Sequence, residues 1–121
     1  MKPIVTKCIG VCIMVVFRVD ANSMIGKGHL MRCISIATSI KMMGGKILFV
    51  TRDDSDTEIL DSKFMDYKTI TSAKLCSEES TKELTAILKE VKADVCVVDS
   101  YDVSNEFFKA VKEVAKVVLI E

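Results

Sequence analysis

Short apolar runs rich in branched residues recur along the 121-residue chain, and segments with helical periodicity separate them. Strands that are buried on both faces of a parallel sheet have this continuous apolar character. Strand and helix units in alternation imply right-handed crossovers and a doubly wound sheet. The sequence therefore predicts an α/β fold with a Rossmann-like, doubly wound parallel sheet. The strongest runs lie at residues 13 to 19, 46 to 51, 94 to 99 and 116 to 120.

Helical patterns fill the intervals between these runs. We predict helices at residues 29 to 43, 56 to 65, 80 to 91 and 104 to 115, and a weak strand at 67 to 70. Gly44 and Gly45 are expected to end the first helix just before the second strand. Ser104 is expected to cap the last helix, although the usual Glu of a capping box is missing.

The charge balance and the cysteines limit the class of protein. Lysine plus arginine equals aspartate plus glutamate at 17 each, so no net field attracts the chain to nucleic acid or to an anionic membrane surface. The apolar runs are shorter than the roughly 20 residues that a membrane span needs. Five cysteines without a C-x-x-C pair indicate buried, reduced thiols and a cytoplasmic protein. With one histidine, no metal site is expected.

The chain is predicted to contain one domain. Residues 1 to 12 are interpreted as a leader, because Met14 would also serve as a start. Residues 13 to 121 have the usual size of a single Rossmann-like domain. Glu121 directly follows a buried type of strand, whereas most domains finish with a covering helix or an exposed tail. We therefore expect a longer protein with a further domain, and an uncovered sheet edge would also permit homo-oligomers.

Ligands of open parallel sheets bind at the carboxyl ends of the strands, which directs attention to residues 18 to 29 and 99 to 102. Gly26 and Gly28 precede a helix there, so backbone N–H groups at its positive end can face an anion or a polarised oxygen. The dinucleotide fingerprint needs a small residue where Met31 stands, and the phosphate-loop pattern needs Lys followed by Ser or Thr. Both patterns fail, so no cofactor is expected.

His29 is the only histidine, and it falls in the first turn of the predicted helix. The helix dipole disfavours a positive charge at that end and so favours the neutral imidazole. A neutral imidazole accepts a proton, which makes His29 the candidate catalytic residue. The alternative is that His29 caps the helix or packs against the sheet.

Four other side chains are candidates for substrate binding at these strand ends, together with the adjacent Tyr101. Arg18 is a charge within an apolar strand, and Asp20 is close enough either to neutralise it or to serve a ligand. Arg18 or Arg32 would hold an anionic group or a carbonyl oxygen, and Asp20 would orient the histidine or bind a sugar hydroxyl. Asp99 and Tyr101 offer hydrogen bonds to a polyol or an amide, unless Asp99 only caps a turn.

Two short motifs stand together within residues 17 to 37. R-x-D-A begins at Arg18, and G-x-G-H-x-x-R runs from Gly26 to Arg32. Their combination at this interval resembles the opening of the PseG-like UDP-sugar hydrolases, which act in pseudaminic acid biosynthesis and have relatives in spore-coat polysaccharide biosynthesis. The segment from Asp99 to Tyr101 gives a second, weaker match.

The resemblance implies the GT-B architecture of the MurG-like glycosyltransferases, in which two Rossmann-like domains face each other across a cleft, with this chain as the first. It implies hydrolysis of a UDP-linked 2,4-diacetamido-2,4,6-trideoxy hexose, in which His29 positions or deprotonates the attacking water. UDP would bind mainly to a C-terminal domain, so this chain alone is expected to be incomplete as an enzyme. The alternatives are a glycosyltransferase half of the same fold and a noncatalytic flavodoxin-like binding module. The residues assigned to substrate binding are Arg18, Asp20, Gly26, Gly28, Arg32, Asp99 and Tyr101.

Overall fold

The computed structural model describes residues 13–20, 28–52, 57–70, 78–99 and 104–120. In these residues, strands alternate with helices along the chain, as the sequence predicts. The strands are β1 (Met14–Val19), β2 (Lys46–Arg52), β3 (Tyr67–Ile70), β4 (Val95–Asp99) and β5 (Lys116–Leu119). The helices are α1 (Gly28–Met42), α2 (Glu58–Ser62), α3 (Glu78–Glu90) and α4 (Asn105–Lys112).

The described strands form one parallel sheet in the order β3-β2-β1-β4-β5, which confirms the predicted Rossmann-like, doubly wound α/β fold. The central strand β1 pairs with β2 on one side and β4 on the other, so that Arg18 lies opposite both Val50 and Val98. The chain adds β2 and β3 on one side of β1 and then crosses to place β4 and β5 on the other. The carboxyl ends of β1 and β4 therefore lie side by side where the direction of strand addition reverses.

Alternate residues of the strands point to opposite faces of the sheet, and each face has its own buried cluster. On one face, Phe17 and Phe49 stack with ring centroids 5.0 Å apart, among apolar residues of α1 and α2. On the other face, Val16 packs with apolar residues of α3 and α4, among them Leu84 and Phe107. Helices cover both faces, which explains why the strands are continuous apolar runs.

The helix ends follow the sequence signals. Gly44 adopts a φ of 91°, a conformation that favours glycine. A Cβ on Gly45 would lie 2.6 Å from Ile40 Cγ2, so a larger residue does not fit there without a shift. At α4, the side chain of Ser104 accepts a hydrogen bond from the Phe107 N–H at 3.1 Å. The predicted glycine stop and serine cap are both confirmed.

Two helices are shorter than predicted. The pattern placed the second helix at residues 56 to 65, but Phe64 turns into the left-handed region with a φ of 59°. The Met65 N–H then bonds back to the Leu60 carbonyl at 2.9 Å, and this turn buries Met65 in the core. Apolar periodicity cannot separate a residue buried by a turn from one on a helix face. In α4, the helix ends at Lys112, where a turn leads into β5.

Cys33 and Cys96 are free thiols, one in each buried cluster. Burial raises the pKa of each thiol from an ordinary 9.0 to about 12, because the thiolate loses its hydration. The Asp99 carboxylate adds to the rise for Cys33, whereas the charge of Arg18 partly offsets it for Cys96. Both thiols are therefore protonated and unreactive at neutral pH. The other cysteines lie outside the described residues.

Cys96→Val is expected to flatten the decline of stability at high pH. Because the pKa of Cys96 is higher in the folded protein than in the unfolded chain, stability is at its full value below the unfolded pKa and falls as pH rises toward the folded pKa. Between about pH 9 and 12, Cys96 alone should remove on the order of 1 kcal/mol of unfolding free energy per pH unit. Urea unfolding at several pH values in this range checks it, and parallel pH dependences for wild type and variant would contradict it.

The described residues belong to this one sheet and its covering helices. None of the described helices has the length and apolar character that crossing a membrane requires. The predicted leader, residues 1 to 12, lies outside the described residues.

Candidate functional site at the carboxyl edge of the sheet

A cluster of charged side chains lies where α1 meets the carboxyl ends of β1 and β4. The helix begins at Gly28, so His29 lies in its first turn. Arg32 follows three residues later and therefore lies on the same side of the helix. On β4, Asp99 points to the same face as Val97, which packs in the cluster under α1. The helix thus brings His29 and Arg32 onto Asp99.

The imidazole of His29 and the carboxylate of Asp99 are in direct contact. His29 Nδ1 lies 2.5 Å from Asp99 Oδ1, and the side chains are 18% and 1% exposed. Because an ionised carboxylate only accepts hydrogen bonds, Nδ1 carries the proton and donates it to Oδ1. We therefore assign the Nδ1–H tautomer, which leaves the lone pair on Nε2. In this state the ring can accept a proton at Nε2.

Arg32 holds Asp99 from a second direction. Its Nη2 donates to both carboxylate oxygens at 3.0 Å, and its Nε donates to Oδ2 at 3.3 Å. The same Nη2 lies 3.0 Å from His29 Nδ1, but both nitrogens carry hydrogen in the assigned tautomer, so this contact is not a hydrogen bond. Cys33 adds an S–H donor 3.5 Å from Oδ2. Three side chains of one helix thus fix the carboxylate, and Arg32 balances its charge.

This arrangement suits a general base. A buried carboxylate that accepts from Nδ1 sets the tautomer and orientation of an imidazole and stabilises the imidazolium that forms when Nε2 takes a proton. Next to His29, a Cβ on Gly28 would meet no atom of the described residues within 4 Å. The side chain of His29 is 18% exposed, so the pair can present a proton acceptor at the carboxyl edge.

Arg18 and Asp20 form a second cluster on the opposite face of the sheet. They alternate with Phe17, which faces α1, and so they face α3 and α4. Arg18 Nη1 donates to Asp20 Oδ1 at 2.6 Å and to the Val50 carbonyl at 3.3 Å. The same Oδ1 accepts from the backbone N–H of Arg52 at 2.8 Å, which ties the ends of β1 and β2 together. Of the two alternatives for Asp20, the structure shows the ion pair with Arg18.

The guanidinium of Arg18 is only partly satisfied by these contacts. The residue is 0% exposed, and its Nε and Nη2 have no hydrogen-bond partner in the part of the chain that the structure describes. A buried donor without a partner costs about 1–3 kcal/mol. An arginine cannot avoid this cost by losing its proton. The unpaired donors of Arg18 therefore lower the stability of the fold.

The structure separates the predicted site residues into two groups. The suggestion that Asp20 orients His29 is wrong, because Asp20 lies on the other face of the sheet with Arg18, and Asp99 occupies that role. The fork of Arg32 is engaged by Asp99. The part that sequence reasoning missed is the S–H donor of Cys33, although its position four residues after His29 signals the same side of the helix. The remaining predicted residues, Gly26 and Tyr101, lie outside the described residues.

The described residues contain no group of three or more His, Cys, Asp or Glu side chains that could hold a metal ion. The carboxylate of Asp99 is surrounded by donors, namely a guanidinium, an imidazole N–H and a thiol. With these donors against it, the carboxylate is poorly placed to bind a cation, and the cluster is suited to hydrogen bonding and proton transfer.

Comparison with known proteins shows a glycosyltransferase type of fold. No family model matches the chain. MurG of Acinetobacter baumannii superimposes with a TM-score of 0.68 and 11% identity, over 88% of this chain and 33% of that one. A glycosyltransferase from Rickettsia africae ESF-5 gives 0.66 and 15%, over 90% of this chain and 29% of that one. The glycosyltransferase VinC, in complex with DTDP, gives 0.58 and 12%, over 72% and 29%.

In sequence, the chain is similar to an uncharacterized protein of Methanocaldococcus jannaschii, with 26% identity over 100 residues, which are 80% of this chain and 19% of that protein. The structural similarity at 11% to 15% identity shows the fold alone. The chain has the fold of a Rossmann-like unit of a GT-B glycosyltransferase. It spans about a third or less of the length of each of these proteins.

Proposed function

We propose that this chain is one half of an enzyme that cleaves the bond between a nucleotide and a sugar, with His29 as the general base. The observation that carries the proposal is the contact between His29 Nδ1 and the buried Asp99 at the carboxyl edge of β1 and β4. That contact assigns the lone pair to Nε2, which lies on the opposite side of the ring. The position is the one at which open parallel sheets bind their ligands.

In the proposed reaction, a hydroxyl oxygen attacks the anomeric carbon of the sugar while His29 Nε2 takes the hydroxyl proton. The bond between the anomeric carbon and the diphosphate oxygen breaks, and the nucleoside diphosphate leaves with the bonding electrons. Asp99 remains ionised and stabilises the imidazolium. A positioned base of this kind accelerates a reaction by about 10²–10⁴-fold.

The fold supports the choice of substrate class. The similar structures are glycosyltransferases, and one of them, VinC, is in complex with DTDP. Because this chain spans at most 33% of their length, we propose that a second, nucleotide-binding domain completes the site. The nucleotide sugar would then lie between that domain and the His29 edge of this one.

The attacking hydroxyl belongs either to an acceptor molecule or to water. The glycosyltransferase neighbours favour transfer to an acceptor hydroxyl as the first candidate. The G-x-G-H motif that ends at His29 resembles the PseG-like hydrolases and supports hydrolysis of a UDP-linked 2,4-diacetamido-2,4,6-trideoxy hexose as the second. In the second case, the free sugar would serve pseudaminic acid or spore-coat polysaccharide biosynthesis.

The thiols support a location for this activity. Cys33 and Cys96 are free and buried in the core. Free thiols persist in reducing compartments, where disulfides are rare. A cytoplasmic location is therefore part of the proposal.

Release of nucleoside diphosphate tests the proposal. The full-length gene product that contains this sequence is incubated with a panel of UDP- and dTDP-sugars, including the diacetamido-trideoxy hexose, with and without sugar acceptors. Release that depends on an acceptor supports glycosyl transfer, and release of free sugar without one supports hydrolysis. Binding of the nucleotide sugars without release under either condition would contradict catalysis and favour a noncatalytic module.

A further inference from the structure

Among the described residues, Arg18 is the largest side chain that is fully buried, and it carries a permanent charge. We propose that Arg18 binds an oxyanion, a phosphate or a carboxylate group of a substrate, on the face of the sheet opposite to His29. Only the identity of the molecule that carries the oxyanion rests on the proposed function. The binding itself is a property of this chain.

The hydrogen bonds of Arg18 leave one side of its buried guanidinium without a partner among the described residues. Nη1 donates to Asp20 Oδ1 at 2.6 Å and to the Val50 carbonyl at 3.3 Å. Nε and Nη2 have no partner in the described residues. Asp20 Oδ1 in turn accepts from the Arg52 N–H, so this carboxylate oxygen is shared between two donors.

The unpaired side is the edge of a guanidinium that can donate to two oxygens at once. The Nε–H and one Nη2–H of a guanidinium are parallel, and together they form the two-pronged edge that matches a carboxylate or a phosphate. Arg32 uses this edge within the same protein, because its Nε lies 3.3 Å from Asp99 Oδ2 and its Nη2 lies 3.0 Å from Asp99 Oδ1. Arg18 has the same edge, with no carboxylate of the described residues against it.

The location of Arg18 agrees with a ligand rather than with a purely structural ion pair. The side chain lies one residue before the end of β1, and Asp20 draws its Nη1 toward the carboxyl edge. In sheets with this topology, ligands bind outside the carboxyl ends at the point where strand order reverses. The pair with Asp20 uses only Nη1 of the guanidinium and leaves its two-pronged edge unused.

Titration of the whole chain with simple anions tests this assignment. Inorganic phosphate, pyrophosphate and acetate are added separately, and the melting temperature and the Nε–H resonance of Arg18 are followed. We expect saturable stabilisation by phosphate or acetate and a shift of the Arg18 resonance with the same dissociation constant. Stronger binding of phosphate and pyrophosphate identifies a phosphate ligand, and stronger binding of acetate identifies a carboxylate ligand.

Two variants and a control separate binding from folding. R18M/D20N removes both charges, keeps an oxygen at position 20 for the Arg52 N–H, and is expected to fold with equal or higher stability and at least a tenfold weaker response to the anion. R18K keeps the charge without the fork and should lose most of the response. K46M removes an exposed cation at the amino end of β2 and should respond as wild type does.

An unchanged anion response in R18M/D20N would overturn the assignment, because the anion would then bind elsewhere. No shift of the wild-type Arg18 resonance with any of the three anions would also overturn it. The NMR titration uses the wild-type protein, so it tests the assignment even where a variant does not fold. No arm measures turnover, so a failure here is distinguishable from a failure of the proposed sugar chemistry.

Discussion

His29→Ala is expected to lower kcat of the full-length gene product by about 10²–10⁴-fold, because the variant loses the group that takes the proton of the attacking hydroxyl. KM for the nucleotide sugar should change little, since the imidazole acts on the nucleophile. The measurement is the initial rate of nucleoside diphosphate release, with kcat and KM determined separately.

The His29→Ala result is informative only if the variant is folded. The side chain of His29 is 18% exposed and lies at the start of a helix, so its loss should cost about 1 kcal/mol of unfolding free energy or less. Urea unfolding of wild type and variant checks this. A variant that is strongly destabilised but turns over at the wild-type rate when folded would show that the histidine is structural.

Asp99→Asn is expected to reduce kcat by at least about 10²-fold through the orientation and tautomer of the imidazole. An asparagine NH₂ can donate to Nδ1, which moves the ring proton to Nε2 and abolishes the base. The variant should also lose about 1–3 kcal/mol of stability, because the Arg32 fork keeps only one good acceptor. The loss stays at this level because the side chain of Arg32 is 40% exposed and can turn to water.

Asp94→Asn is the matched control for Asp99→Asn. Asp94 precedes the amino end of β4, where its Oδ2 accepts the Met14 N–H at 2.9 Å. The substitution removes the same charge from the opposite end of the same strand, away from His29. Full activity in the Asp94 variant and a large loss in the Asp99 variant would assign the effect to the cluster. Equal losses in the two would point to a general effect of charge or stability.

The fold could be predicted because its signals are local. β1, β2, β3, β4 and β5 all lie within a residue or two of the predicted runs, since strands buried on both faces are apolar without interruption. Gly44 and Ser104 ended and began their helices as expected, because each acts through its own backbone or its nearest turn. The second helix was predicted too long because the burial of Met65 depends on the left-handed turn at Phe64.

The composition of the site could be predicted, but its pairing could not. The sequence identified His29, Arg32 and Asp99 individually, and the helical spacing placed His29 and Arg32 together. The partner of His29 was expected to include Asp20, the nearest carboxylate in sequence at a strand end. Strand alternation sends Asp20 to the opposite face, and only the adjacency of β4 to β1 brings Asp99 to the helix. That adjacency is a property of sheet order, which no local pattern encodes.

The pairing of the central strand with β4 also sets when this site can exist. His29 and Asp99 are 70 residues apart in the chain, and they meet only after β1 has joined a strand that is synthesised much later. Closing so long a loop costs chain entropy, so pairing of β1 with β2 is expected to come first. During synthesis, His29 therefore lacks its contact with Asp99 until β4 has emerged from the ribosome and paired with β1. A nascent or prematurely terminated chain that lacks β4 carries the imidazole without the carboxylate that orients it, so the His29–Asp99 pair forms only when β4 has joined the sheet.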